Sequence, residues 1–135
     1  MTAESTFETE VRSYELDPYG HVNNAVYVNW LEHGRLVWLR ERGLTYTSIP
    51  EQYGVNVVVV HQDLSYHRPL RLGDRVVIHS RVAAFGNTSF TYEQRIVAAT
   101  RAAESVLTGR IVMVCTGPDG GSVPIPEGLE ESLGR

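Results

Sequence analysis

Tyr14-Glu15-Leu16-Asp17-Pro18-Tyr19-Gly20-His21-Val22-Asn23-Asn24-Ala25-Val26-Tyr27 joins a short alternating segment to the one long helical pattern of this chain, which runs to about Arg42. Asp17, Gly20, His21, Asn23 and Asn24 place turn formers, a carboxylate and an imidazole just before a helix start. A helix start carries backbone N–H groups with no partner inside the helix and about half a unit of positive charge. Such groups can hold a developing oxyanion while a nearby carboxylate attacks, or activates water. Taken on composition alone, Asp17 reads rather as an Asp-Pro turn residue or a solvated cap.

Downstream, Val26, Tyr27, Trp30, Leu31, Gly34, Val37 and Trp38 recur at three- and four-residue steps, one face of a helix. Asn23 or Asn24 suits the N-cap and Gly43 the stop. About 19 residues at ~1.5 Å each span roughly 28 Å, enough to cross a sheet. Gly34 costs such a helix about 1 kcal/mol relative to alanine. Close approach of a strand backbone would explain its presence; a tolerated defect is the other reading.

Upstream, residues 7 to 14 alternate as a first strand with one wet face. Residues 45 to 54, with Pro50 and Gly54, read as a loop. The β-branched run from Val55 to Val60 predicts a strand buried on both faces, or buried at a partner interface, continuing extended to His67. Residues 75 to 84 and 88 to 99 alternate around Gly86-Asn87, a hairpin signal, and 102 to 115 give a last long strand. Pro124 and Pro126 leave the tail irregular up to a helical turn at 129 to 133. The expected architecture is α+β: one long helix against a largely antiparallel sheet of five to six strands. The chain reads as a single domain over 1–135, with a core from about 6 to 115 and a tail from 116 to 135.

A composition of 42% hydrophobic and 21% charged residues is that of an ordinary soluble domain. The net charge of −4, with no basic run, argues against nucleic-acid binding and leaves any anionic ligand to local groups. Cys115 stands alone in an apolar run, which excludes a disulfide framework and reads as a buried small hydrophobe. His61 and His67 flank a strand with no third ligand at metal spacing, so neither a metal nor another cofactor is expected. The N-terminus lacks the basic and apolar regions of a signal peptide, and no apolar run approaches the roughly 18–20 residues that span a bilayer. No membrane partner is therefore expected, and the default location is cytoplasmic.

The run from Asp17 to Tyr27, followed by Trp30, Glu32 and Arg35, resembles the hot-dog-fold thioesterases, in particular the 4-hydroxybenzoyl-CoA thioesterase type and its acyl-CoA relatives. It also looks like the catalytic-domain motif of the plant acyl-carrier-protein thioesterases, which share its aspartate, histidine and paired asparagines; Tyr19 departs from their pattern, which has asparagine there. The stretch from Tyr66 to Asp74, with His67, Arg68, Pro69 and Gly73, resembles a strand end and turn of these families, and Gly86-Asn87-Thr88-Ser89 a later turn. The resemblance covers about residues 6 to 115. It implies a hot-dog fold, in which a curved sheet wraps the helix, and hydrolysis of an acyl-CoA thioester to free acid and CoA.

By motif position, Asp17 would be the catalytic carboxylate, as nucleophile or as base toward water. The oxyanion donor would be the backbone N–H of Asn24, with Ala25 beside it. His21 bears on the active site of the carrier-protein enzymes, with a structural hydrogen bond in the turn as its other reading; Asn23 is structural. Tyr27, Gly86, Thr88 and Ser89 would meet the acyl group or thiol arm, and Arg68, with Arg71 and Arg110, the phosphates. The alternatives are an acyl-carrier-protein substrate, or a non-catalytic subunit that binds acyl-CoA. Domains of this group pair side by side, which implies a homodimer, or a homotetramer built from two.

Overall fold

In the computed structural model, which describes residues 3–135, five strands form one sheet in the order β1-β3-β4-β5-β2, and every neighbouring pair is antiparallel. The strands are β1 (Ser5–Glu10), β2 (Asn56–Tyr66), β3 (Arg75–Phe85), β4 (Ser89–Ala98) and β5 (Glu104–Thr116). Register shifts at Val59/His61, Val82/Ala84 and Ile96/Val97 bend the sheet, since each bulge adds local twist. The helix α1 (Asn24–Arg40) lies across one face.

Alternation sorts the sheet residues. On β3 and β4 the inward set is Val76, Ile78, Ser80, Val82, Phe90, Tyr92, Gln94 and Ile96, all buried beneath α1. Tyr27, Trp30, Leu31, Trp38 and Leu39 of α1 meet them in one hydrophobic cluster. Gly34 explains itself here. A Cβ at that position would lie 2.8 Å from Ser80 Oγ, 2.9 Å from Ile78 Cγ2 and 3.0 Å from Gln94 Nε2. The Gln94 amide donates to the Leu31 carbonyl at 2.9 Å and to Ser80 Oγ at 2.8 Å, and accepts from Arg35 Nη1 at 3.0 Å. The helix backbone therefore rests on strand side chains at Gly34, and not on a strand backbone as expected.

Three expectations change. The first strand ends at Glu10, and Ser13–Glu15 turn as a short 3-10 helix, because Glu15 reaches back to the Arg12 backbone. The expected loop from 45 to 54 contains a second helix, α2 (Ser48–Tyr53). Thr45 and Ser48 exchange hydrogen bonds between side chain and backbone at its start, both 2.9 Å. Pro50 sits in its first turn, where a missing N–H costs nothing, and Gly54 ends it at φ 70.

The third change concerns β2, which is not buried on both faces. It is an edge strand, and Val58, Val59 and Val60 are 39%, 40% and 56% exposed. The tail also contributes more than its composition suggested. A third helix, α3 (Glu127–Ser132), buries Leu129, and Ile125 and Leu133 join the same hydrophobic cluster.

Candidate active site

Asp17 opens the tip of a tight loop closed by two hydrogen bonds. Asn23 N donates to the Glu15 carbonyl at 2.8 Å and Asp17 N to the His21 carbonyl at 2.6 Å, which together pair Leu16 with Val22. Inside the loop, Asp17 Oδ1 accepts from Tyr19 N at 2.8 Å and His21 N at 3.0 Å. This is an Asx-type turn, so one carboxylate oxygen holds the loop. Among the described residues nothing hydrogen-bonds Oδ2. The contact at residue 19 is made by the backbone while the Tyr19 side chain is 85% exposed, so the departure from asparagine there does not alter it.

The loop runs straight into α1. Asn23 is the N-cap, and its Oδ1 accepts from Ala25 N at 2.9 Å. The Ala25 N–H, which the motif sets beside that of Asn24, is thus engaged by the cap. Among the described residues no acceptor takes the Asn24 N–H, the first of the helix.

These groups line a pocket of about 390 Å³ with Asp17, His21, Asn23, Asn24 and Tyr27 on one side and Tyr66, His67, Arg68 and Pro69 on the other. Val22 N donates to the Leu70 carbonyl at 2.9 Å and ties the two sides together. Tyr27 is 4% exposed and meets Trp30 and Tyr66 edge-on, at ring separations of 5.7 Å and 5.5 Å. Burial pushes its phenol above the ordinary value, so it is protonated at neutral pH.

His21 receives a hydrogen bond from Arg71 Nη2 at 3.4 Å on Nε2. Arg68 is 63% exposed on its side chain and sits 4.0 Å from Glu104, a loose surface pair. Four lining residues had no expected role, Val22, Tyr66, His67 and Pro69; His67 Nε2 is 2.9 Å from Thr108 Oγ1. Their sequence signal was membership of the first motif for Val22 and of the second for the other three.

Other candidates lie elsewhere in the protomer. Gly86 N donates to the Ser89 carbonyl at 2.7 Å, Arg135 donates to the Gly86 carbonyl at 2.9 Å, and Cys115 N to the Thr88 carbonyl at 2.9 Å. The tail therefore packs on this turn, and neither Gly86, Thr88 nor Ser89 lines the pocket with Asp17. Arg110 is ion-paired to Glu93 beside Arg81 on another face of the molecule. Cys115 is fully buried, and burial pushes its thiol up to about 11, which suits a packed side chain and not a nucleophile. Among the described residues no three His, Cys, Asp or Glu side chains cluster as metal ligands, and no helix is long and apolar enough to cross a membrane.

The chain is similar in sequence and fold to known thioesterases. The chain is 34% identical over 89 residues to the chloroplastic acyl-acyl carrier protein thioesterase ATL2 of Arabidopsis thaliana, covering 66% of this chain and 47% of that one. It thus spans about half or less of the length of the first curated relatives. It is 30% identical over 108 residues to the long-chain acyl-CoA thioesterase FadM of Escherichia coli, covering 80% of each. Among solved structures, a thioesterase from Thermus thermophilus complexed with coenzyme A and Zn superposes with a TM-score of 0.81 at 30% identity, over 96% of this chain and 97% of that one. The profile of the thioesterase-like superfamily matches residues 11–133. By that match, with the five-stranded antiparallel sheet, the central helix and the Asp17 loop at its start, the chain belongs to the thioesterase-like superfamily.

Proposed function

We propose that the chain hydrolyses the thioester of an acyl-CoA to the free acid and CoA, with Asp17 as the reacting carboxylate and the Asn24 N–H as oxyanion donor. One observation carries the reading: a carboxylate with one oxygen held by two N–H groups and the other free faces a pocket that also holds the unused first N–H of a 17-residue helix. Thioesters are activated acyl donors. In one route Oδ2 attacks the carbonyl carbon, the carbonyl oxygen takes negative charge at Asn24 N–H, the C–S bond breaks and the CoA thiolate leaves. Water then hydrolyses the mixed anhydride. In the other, Asp17 removes a proton from the attacking water, the same donor holds the oxyanion of the adduct, the C–S bond breaks and the proton passes from Asp17 to the departing thiolate. Arg68 and Arg71 at the mouth are the cations available to the phosphates, and Tyr27 with Tyr66 supplies apolar wall for the acyl group.

The functional unit proposed is a homodimer paired through β2. Its exposed valines and open backbone edge favour such pairing. Antiparallel pairing of two copies about the middle of β2 sets the Tyr66 end of one against the Asn56 end of the other. Asn56 pairs with Thr116, and nearby Val114 pairs with Ser89. The partner's Gly86–Ser89 turn is thereby brought toward the pocket, which gives Gly86, Thr88 and Ser89 the role the motif implies. A monomeric mass under assay conditions would refute the dimer. A cytoplasmic location fits a substrate carried on coenzyme A.

A carrier-protein substrate is the second reading, favoured by the exposed Tyr19, Arg68 and Arg71 around the mouth and by the ATL2 likeness. A preference of at least tenfold for the protein-bound acyl group would establish it. The deciding experiment is free-thiol release from aromatic, short- and long-chain acyl-CoAs by wild type and Asp17→Asn. Asn retains the Oδ1 acceptor and hence the loop, so the expected result is a folded protein with turnover nearly abolished. Full turnover by Asp17→Asn sinks the assignment.

A further inference from the structure

The geometry points to Glu15 as a positioning residue: its carboxylate, clamped by Arg12 beneath the loop, sets the separation between the Asp17 carboxylate and the Asn24 N–H. The inference rests on the function proposed above and goes beyond it to a residue that does not line the pocket.

Glu15 is one of few buried charged residues, with a side chain 7% exposed. Three donors from one residue hold it: Arg12 N at 2.8 Å, Nε at 3.1 Å and Nη2 at 3.0 Å. On the helix side lies Trp30, whose indole N–H is buried without a hydrogen-bond partner, near enough to favour the charged carboxylate. Burial by itself pushes the Glu15 carboxyl up, but the Arg12 hydrogen bonds and charge outweigh that and hold it below the usual carboxylate range. A buried charge is retained at a cost, and here its backbone shows what it holds.

The Glu15 carbonyl accepts Asn23 N at 2.8 Å. On one side of that rung the chain proceeds through Leu16 to Asp17. On the other, Asn23 caps α1 and Asn24 follows at once. The two reacting partners therefore branch from a single hydrogen bond, and the residue that makes it is locked to Arg12 and packed on the helix at Trp30. Releasing the clamp lets the loop shift against the helix without removing either reacting group. Displacements of this kind, near 1 Å, cost up to about 100-fold in rate.

The test uses Glu15→Gln, which keeps the size but turns an amide NH2 toward the Arg12 guanidinium, and Arg12→Gln, which removes the guanidinium from the half-exposed side. Steady-state thiol release is measured on the folded protein well below each variant's melting temperature, beside Asp17→Asn. The expected result is kcat lowered about ten- to 100-fold in Glu15→Gln and less in Arg12→Gln, with KM within about twofold. The double variant should lose no more than Glu15→Gln alone, because both break one clamp. A merely structural clamp would lower the melting temperature and leave kcat of the folded protein unchanged. If Glu15→Gln does not fold, Arg12→Gln decides. Wild-type kcat in the folded variants, or a loss confined to KM, overturns the proposal while Asp17→Asn remains inactive. Full activity in Asp17→Asn would instead remove the function on which it rests.

Discussion

Replacing Asn24 with proline isolates the oxyanion donor, because the structure lets it remove one N–H and little else. Asn24 is the first residue of α1, the position at which proline is best tolerated. No carbonyl one turn earlier belongs to the helix, so the ring meets no clash of the kind that breaks helix interiors. The preceding residue must be extended before a proline, and Asn23 already is, at φ −60 and ψ 137. Its cap survives, since Asn23 Oδ1 accepts from Ala25 N and not from Asn24. The Asn24 side chain is exposed, so burial contributes little to the change. Stability should stay within roughly 0.5 kcal/mol, the usual range for surface substitutions. Loss of one oxyanion donor costs about 100- to 1000-fold in kcat, or about 2.7–4 kcal/mol in the barrier. Asn24→Ala retains the N–H and should keep kcat within a few-fold. The assay is thiol release with an acyl-CoA that wild type accepts, paired with a melting curve. Wild-type kcat in Asn24→Pro, or an equal loss in Asn24→Ala, would refute the reasoning, the second by showing that the side chain is what matters.

Gly34→Ala should destabilise the protein. Helix propensity gains about 1 kcal/mol, but a Cβ within 3.0 Å of Ser80, Ile78 and Gln94 overpacks the interface, at about 1–3 kcal/mol, and disturbs the buried Gln94 bonds, at about 1–3 more. The net loss of about 3 kcal/mol appears as a melting temperature roughly 10 °C lower; an unchanged or raised value would show that the helix can lift off freely. Glu15 predicts a pH dependence of stability. Its folded carboxyl titrates below the unfolded one, so its contribution is present above the unfolded value, about 4.3, and is lost as pH falls through the folded value. Melting curves between about pH 3 and 6 should therefore fall less steeply on the acid side for Glu15→Gln than for wild type, and identical slopes would contradict the clamp.

Much of this protein was legible locally. The three- and four-residue steps of α1, its Asn23 cap and the hairpin around Gly86-Asn87 rest on periodicity and turn chemistry, which neighbouring residues carry among themselves. So does the Asp17 loop, whose Asx turn and helix start lie within a few residues. Pro50 misled because proline both breaks a helix interior and suits a first turn, and only the Thr45–Ser48 exchange distinguishes the two.

The rest depended on which segments meet. A β-branched run marks a strand but not its place in the sheet, so Val58 to Val60 could be core or edge until β2 paired with β5 alone. The far wall of the pocket comes from residues 66 to 69, some fifty positions beyond Asp17 in the chain, held there by the Val22–Leu70 hydrogen bond. The Gly86 turn, which the resemblance puts at the acyl group or thiol arm, packs against the C-terminal tail away from the Asp17 pocket. Local sequence specifies conformation through short-range sterics and hydrogen bonding, whereas burial, pairing and the walls of a site belong to contacts between distant segments, which only the folded chain creates.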